Sequence, residues 1–361
     1  MAIRTLNYEN ELHYPLGSAS YIFEKDILEY INSTINKDTI YIAMGAQPNS
    51  TPHFGTMIVF SLGFSLAKEL SALNPEKNIK VVFEAVDTAV SKSEMVNNIK
   101  YQISLREDIE STKYFKQFES MIKNFSKLTG VDYIIRRQKE FNSSKNIGNI
   151  VENIIENREL ISKIIEPKNE KLRVRIACPE CGRADKNGIN NEYIGRKIIS
   201  VCPYHGKFET DIYDESYRLE YSTPLRAIIK NALYQAENND LDIEHQWIRI
   251  IGSDYAGVYQ EQLIHKSLSK LGFDISSLPF LLYAPLILDW SGAKISKSLY
   301  LKKGAYKYLP EYLLDYQRFD NETKGEGLSM LIELTDEWIR DPKKLFRHYT
   351  VYYFMEAFNL G

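Results

Sequence analysis

Two short segments set metal-ligand residue types at close spacing. Cys178-Pro-Glu-Cys181 and Cys202-Pro-Tyr-His205 form a C-x2-C pair and a C-x2-H pair with twenty residues between them. Each has the form of a knuckle turn, which brings two ligands onto one tetrahedral ion at about 2.3 Å for sulfur. All three cysteines of the chain belong to this cluster. The other reading is three unrelated thiols and a surface histidine. Four protein ligands leave no open coordination position, so the expected ion is a structural Zn²⁺ and not a catalytic metal.

Two further segments carry anion chemistry. The first runs Gly45-Ala46-Gln47-Pro48-Asn49-Ser50-Thr51-Pro52-His53-Phe54-Gly55-Thr56 and joins an apolar strand pattern to an apolar helix pattern. A loop that opens a helix points free backbone N–H groups and the positive dipole end at a ligand. His53 can donate to a phosphate, and Gly55 leaves room for a flat base against the backbone. A structural histidine at a helix start is the other reading. The second segment, Lys294-Ile295-Ser296-Lys297-Ser298, follows Asp289-Trp-Ser-Gly-Ala. Two ammonium groups three residues apart suit a phosphate chain whose charge grows as a bond breaks. A solvated surface loop carries the same residues.

The elements that must hold these groups alternate. Residues 39–44 read as a buried strand, about 53–70 as a helix, 79–83 as a strand, about 105–128 as a helix and 133–135 as a strand. The pattern predicts an α/β fold with a parallel, doubly wound, Rossmann-like sheet. Short β-like pieces around the cysteines interrupt it. It resumes with a helix at about 224–236, a strand at 247–251, a helix at about 255–271 and a strand at 280–288; from about 310 the chain reads as helical. The expected organisation is a split sheet: 1–169 as its first half, 170–215 as a zinc-binding insertion, 216–308 as its second half with the Lys294 loop, and 309–361 as a short helical tail.

Composition removes other classes. With 25 Tyr and 16 Phe in 361 residues, the chain is too rich in large apolar groups to stay disordered. A net charge of −3 excludes a general basic coat for nucleic acid but leaves room for local patches, of which Arg136-Arg137-Gln138-Lys139 and Lys302-Lys303 with Lys307 are the candidates. The longest nearly apolar run, 57–67, is short of the roughly 20 residues of a membrane span. No apolar segment of a secretory signal is visible at the start. Three cysteines exclude a disulfide scaffold and indicate a reducing compartment. A cytoplasmic protein without a membrane partner is expected.

The segment around His53 and the 294–298 pentapeptide together resemble the paired signatures of the class I aminoacyl-tRNA synthetases, in the same order and each after a strand. With the zinc-knuckle insertion between them, the chain is most similar to the class I lysyl-tRNA synthetases. Gly252-Ser253-Asp254-Tyr255, which leaves a strand and opens a helix, also matches a segment of that family. The resemblance covers about residues 38–300. It implies an ATP-dependent ligase that forms an aminoacyl-adenylate and transfers the amino acid to tRNA in protein biosynthesis. The implied catalytic residues are His53 at the triphosphate and Lys294 and Lys297 at the departing pyrophosphate, with Mg²⁺. Gly55 would lie under adenine, and Pro48, Ser50, Thr56, Gly252, Asp254, Ser296 and Ser298 would complete the ATP site. Gly45, Gln47, Asp87 and Asp254 would form the amino-acid site. Asp87 would hold an ammonium group there; its alternative is a buried capping carboxylate. The implied partners are an amino acid, lysine in the lysyl members, and the acceptor stem of tRNA.

Three departures from the pattern stand in the sequence. Thr56 occupies a position where synthetases usually carry His or Asn. Val59 occupies one where lysyl members usually carry Glu. Only 63 residues follow Ser298, where the family normally continues into a large helical anticodon-binding domain, so most of that domain is expected to be lacking. The readings are then a compact synthetase charging tRNA through its acceptor stem, a synthetase-derived ligase with a non-tRNA acceptor, and a non-catalytic paralogue that binds tRNA or nucleotide as a regulator. A simple nucleotidyltransferase shares only the first motif.

Overall fold

The computed structural model describes residues 27–106, 112–295 and 309–359. Five strands rich in Ile, Val, Tyr and Phe form the central sheet: β1 (Thr39–Ala46), β2 (Asn78–Ala85), β3 (Asp132–Arg137), β4 (His245–Gly252) and β5 (Leu281–Ala284). Their order is β3-β2-β1-β4-β5, and every neighbouring pair is parallel. This is the doubly wound sheet that the alternation predicts. The strand order reverses between β1 and β4, and in such sheets ligands bind beyond the carboxyl ends of the strands at that switch.

The strand period of two divides the core in half. Ile40, Ile42 and Met44 of β1, Val81 and Phe83 of β2, and Ile248 and Ile250 of β4 face one layer. That layer holds helices α1 (Phe54–Leu73) and α2 (Lys113–Thr129) and, from the tail, helix α4 (Gly327–Arg340). Ala43, Val82 and Trp247 face the other, which holds α3 (Thr223–Asn239) and the helix Ile147–Glu156. Two buried charged residues share the parity of this second set: Glu84 in β2 and Arg249 in β4.

Helix α1 is long and apolar enough to cross a membrane by length and composition. Here it is packed between the sheet and α4. Its Ser61 and Ser65 hydroxyls meet the Thr335 hydroxyl of α4 at 2.8 and 2.7 Å, all three fully buried. At Gly63 a Cβ would overlap the Met44 sulfur, so the glycine lets the helix close onto β1. Helix α2 starts on Thr112, whose hydroxyl accepts from Phe115 N at 3.2 Å, and stops at Gly130 with φ of 72°.

Several elements depart from the sequence reading. The helix expected from about 105 begins at Lys113, and residues 90–104 form a hairpin of strands Val90–Val96 and Ile99–Ser104. Asn97 and Asn98 turn it with φ of 51° and 61°, the left-handed pair of a tight hairpin turn. Its second strand pairs with Arg183–Asp185, so the cysteine-bearing segment docks on chain from the first half of the fold. The helix expected over 255–271 is irregular, with a wide π-wound stretch at Tyr259–His265 before a short α-helix at Lys266–Lys270. Pro285 breaks the last strand, and the remainder, Ile287–Leu288, pairs with Tyr349–Thr350 of the otherwise helical tail.

Replacing Thr335 by Val keeps its shape and removes the hydroxyl shared by Ser61 and Ser65. The expected loss is about 1–3 kcal/mol of unfolding free energy, read as a lower denaturant midpoint with an unchanged slope. An unchanged midpoint shows that the two serines find other acceptors.

Candidate active site

A cleft of about 540 Å³ opens where β1 and β4 end. The β1–α1 segment lines it with Gly45, Gln47, His53, Gly55 and Thr56. The opposite wall has Gly252, Asp254 and Lys294. The early imidazole and the late ammonium, 241 positions apart in the chain, therefore share one cleft. Val59 lines it as well. Pro48 and Ser50 are buried in the loop and do not line it. Ser296, Lys297 and Ser298 lie outside the described residues, as do Lys302, Lys303 and Lys307.

Local geometry sets each of these groups. His53 precedes α1 in an extended conformation, φ −89° and ψ 168°, and its carbonyl accepts from Thr56 N at 2.8 Å and Met57 N at 3.0 Å. Its ring lies over Gly55, where a Cβ would come within 3.2 Å of His53 Cε1. Across the cleft a Cβ on Gly252 would lie 2.5 Å from Asp254 Oδ1. Glycine lets that carboxylate fold back to accept from Lys294 Nζ. Lys294 is held in place by a bridge to Leu288 and by Asp289, whose Oδ1 accepts from Ser291 N at 2.8 Å and Ala293 N at 3.1 Å. The Lys294 side chain is 43% exposed, so the pair adds little to stability.

Below this rim lies a basic floor that the sequence reading missed. Arg226 and Lys230, one turn apart on α3, and Arg249 on β4 line the cleft. All three are more than nine-tenths buried. Arg226 and Lys230, with Arg136 of β3, surround Glu84, which is fully buried. Glu84 Oε1 accepts from Arg136 Nε at 2.8 Å and from the Tyr234 hydroxyl at 2.7 Å, while Oε2 faces Arg226 Nη2 at 3.4 Å and Lys230 Nζ at 3.6 Å. Burial pushes the Glu84 carboxyl up. The charges of Arg136, Lys230 and Arg226 and the Tyr234 hydroxyl outweigh it and hold the group well below the usual carboxylate range. Burial pulls Lys230 well below its ordinary value, against the attraction of Glu84. The signal in the sequence was a lone charge within each of two apolar runs, VVFEA and WIRII, and two charges four residues apart around a third, LRAIIK.

Arg136 and Arg137 turn inward and do not form a surface patch. The Arg136 guanidinium stacks 4.4 Å over the Trp247 ring and pairs with Glu84. Arg137 pairs with Asp87 at 3.3 Å. Asp87 is fully buried, also accepts from Gln138 N at 3.3 Å, and does not line the cleft.

Apart from the cleft, Cys178, Cys181, Cys202 and His205 bring one ligand atom each within 4.8 Å of one another. Cys181 Sγ and Cys202 Sγ are 3.6 Å apart, and His205 Nδ1 is 3.5 Å from both Cys178 Sγ and Cys202 Sγ. Bonds of about 2.3 Å to sulfur and 2.1 Å to nitrogen give tetrahedron edges of roughly this length, so the donors fit a single ion. Gly182 and Gly206, with φ of 71° and 77°, follow the second ligand of each pair and close the two turns. Burial pushes the Cys178 thiol up to about 11, whereas at Cys181 burial is outweighed by hydrogen bonds from Arg183 and from the neighbouring thiols, which bring it down to about 7, so Cys181 is the nearer of the two to the thiolate that a metal needs.

Two outcomes follow from these clusters. Glu84→Gln strips the anion from three buried cations and is expected to lower stability by about 3–5 kcal/mol. The folded Glu84 carboxyl titrates below an unfolded value of about 4.3. Its contribution is therefore full above that pH and is lost as pH falls through the folded value. Unfolding titrations from pH 7 to 3 test this: wild type loses stability below about pH 4.3, and the variant is flatter there. Cys178→Ser is expected to abolish metal retention and loosen the strands around it, which metal analysis and limited proteolysis read; full metal content in the variant removes Cys178 from the ligand set.

No family model matches the chain, and no curated protein is similar to it. Among solved structures it is similar to one named as an arginyl-tRNA synthetase of Campylobacter jejuni, at 10% identity and a TM-score of 0.39 over 86% of this chain and 68% of that one. It is also similar to a glutamate-tRNA ligase of Elizabethkingia meningosepticum, at 13% identity and a TM-score of 0.37 over 86% and 66%. A glutamate-tRNA synthetase of Elizabethkingia anophelis gives 13% identity and a TM-score of 0.39 over 87% and 68%. The chain spans about two thirds of the length of these three structures.

Proposed function

We propose that the chain is a class I synthetase-like ligase that joins an amino acid to AMP at the expense of ATP and then passes it to a terminal ribose hydroxyl of the tRNA acceptor stem, forming an ester as the acyl–phosphate bond breaks and AMP leaves. A carboxylate oxygen of the amino acid attacks the α-phosphorus of ATP. The new carboxyl–phosphorus bond forms as the α–β bridging bond breaks, and pyrophosphate leaves with its electron pair. The protein's part is placement and charge. The start of α1 and His53 receive the triphosphate, with adenine against Gly55. Lys294, released from Asp254, and Lys297 meet the charge on the departing pyrophosphate. Mg²⁺ carried by the nucleotide would supply further neutralisation, and Asp254, the carboxylate among the described lining residues, would be available to hold it. Zn²⁺ held by Cys178, Cys181, Cys202 and His205 is structural.

The observation that carries this reading is the shared cleft of His53, Gly55, Gly252, Asp254 and Lys294 at the switch between β1 and β4. Lysine is the amino acid implied by the sequence resemblance. In this cleft the position of the usual acid is Val59, and the carboxylate among the described lining residues is Asp254, which already pairs with Lys294.

ATP–pyrophosphate exchange with each amino acid tests the activation step. Exchange with one amino acid is expected. Lys297→Ala is expected to slow it far more than it weakens ATP binding, because the charge acts mainly on the transition state; equal losses remove that role. Radiolabel transfer to total tRNA tests the acceptor. Exchange without transfer indicates a small molecule or a carrier protein instead. No exchange with any amino acid leaves a nucleotide-binding regulator.

A further inference from the structure

We propose that the floor of the cleft binds a carboxylate, so that the amino acid this site takes has an acidic side chain, anchored by Arg249 and Lys230 with Arg226 beside them. The inference deepens the amino-acid-activation reading and rests on it for the identity of the ligand.

Charge on the floor is unbalanced. Arg136, Arg226, Lys230 and Arg249 crowd one carboxylate, Glu84. Glu84 Oε1 is committed to Arg136 and Tyr234, and Oε2 is shared at 3.4 and 3.6 Å between Arg226 and Lys230. Arg249, 8% exposed, donates to the neutral Asn231 amide oxygen at 2.6 Å and forms no ion pair among the described residues. The other carboxylates nearby face other cations or donors: Glu220, whose oxygens make no hydrogen bond among the described residues, lies 3.8 Å from Arg175, Asp87 pairs with Arg137, Glu237 accepts from Trp247 Nε1 and lies 3.1 Å from His245 Nε2, and Asp254 holds Lys294 at the rim. A buried excess of positive charge is costly unless an anion joins it. An ammonium side chain would add to the excess, and a neutral one would leave it.

The cations also face the cavity. Lys230 Nζ sits where the absent side chain of Gly45 leaves space, 3.5 Å from the position of a Cβ, and both residues line the cleft. Arg249 lies level with Ala43 of β1, deeper than the rim and on the α3 side of the sheet. The helix start with His53 and Gly55 belongs to the α1 side. A triphosphate at the helix start and Lys294 therefore leaves the floor to the other substrate. A carboxylate in reach of a guanidinium and an ammonium makes charge-assisted hydrogen bonds with both.

The test is equilibrium binding to the full chain with a non-hydrolysable ATP analogue present, using L-glutamate, L-aspartate, L-glutamine, L-asparagine and L-lysine. One acidic amino acid is expected to bind at least about tenfold more tightly than its amide and than lysine. Arg249→Met is expected to remove that preference and leave the affinity for the ATP analogue unchanged, with Arg249→Gln as a second variant should the first fail to fold. Tighter binding of lysine or of an amide, binding of neither acid, or an Arg249 variant that loses the ATP analogue and not the acid overturns the inference. The wild-type panel decides without any variant. Acid binding without pyrophosphate exchange keeps the floor assignment and ends the activation reading. Exchange with lysine alone does the reverse.

Discussion

Desolvating a carboxylate as fully as Glu84 is costly, and the surrounding chain is arranged to offset that cost. Arg136 stands level with it in the parallel register of β2 and β3, and Tyr234, Lys230 and Arg226 reach it from three successive turns of α3. Spacing of four residues puts all three on one stripe of the helix. A buried ion cluster is poor evidence for net stability, because apolar residues of like volume often do as well. Its clearer effect is positional. One carboxylate that meets side chains at 226, 230 and 234 fixes the rotation of α3 on the sheet. The cationic stripe of α3 therefore faces the end of β1 and not solvent.

From that placement the cleft acquires two levels of different character. At the rim the groups are partly exposed and their partners can be exchanged. Lys294 rests on Asp254 in an ion pair open to water, where coupling is weak and release is cheap. The floor is rigid: its cations are buried, and their positions are set by Glu84, Gln138 and Asn231. A site of this form pre-organises one end of a ligand and lets the other end recruit its cations as charge develops.

The sheet was legible because its signals are local. A run of β-branched residues, a loop, and a helical run repeat often enough to specify parallel pairing, and the four metal-ligand residues lie in two turns whose spacing is itself the signal. The hairpin at 90–104 was not legible. VSKSEMV carries no apolar stripe, and IKYQIS, which alternates Ile99, Tyr101 and Ile103 with polar residues, is too short to stand out and pairs with Arg183–Asp185, far along the chain. The basic floor was hidden for a related reason. Arginine and lysine in a helix read as a solvated face, and only the packing of α3 against β2 and β4 turns them inward. The same packing turns Arg136, Arg137 and Asp87 inward, where each finds a charge of opposite sign. What could have been read is the mismatch: a single charge at the centre of an apolar strand must have a partner, and Glu84 and Arg249 each stand in one.

The cysteine cluster bears on the cleft through backbone pairing and not through contact. Cys181 and Gly182 lead directly into Arg183–Asp185, which pairs with Ile99–Ser104 and through it with Val90–Val96. Ala89 and Val90, at the base of that hairpin, line the cleft. On the other side of the cysteines, Val174–Ile176 pairs with Leu219–Tyr221, and Arg175 and Tyr221 line it too. The two strands that flank the Cys178–Cys181 turn are therefore tied, directly or through one pairing, to residues that line the cleft, while the Cys202–His205 turn joins Lys197–Cys202 to Gly206–Asp211. Short antiparallel strands of three residues have little stability of their own. An ion that closes the two turns would order them together, and with them the wall beside the basic floor, so a metal remote from any reacting atom shapes the site by removing freedom from the strands that frame it.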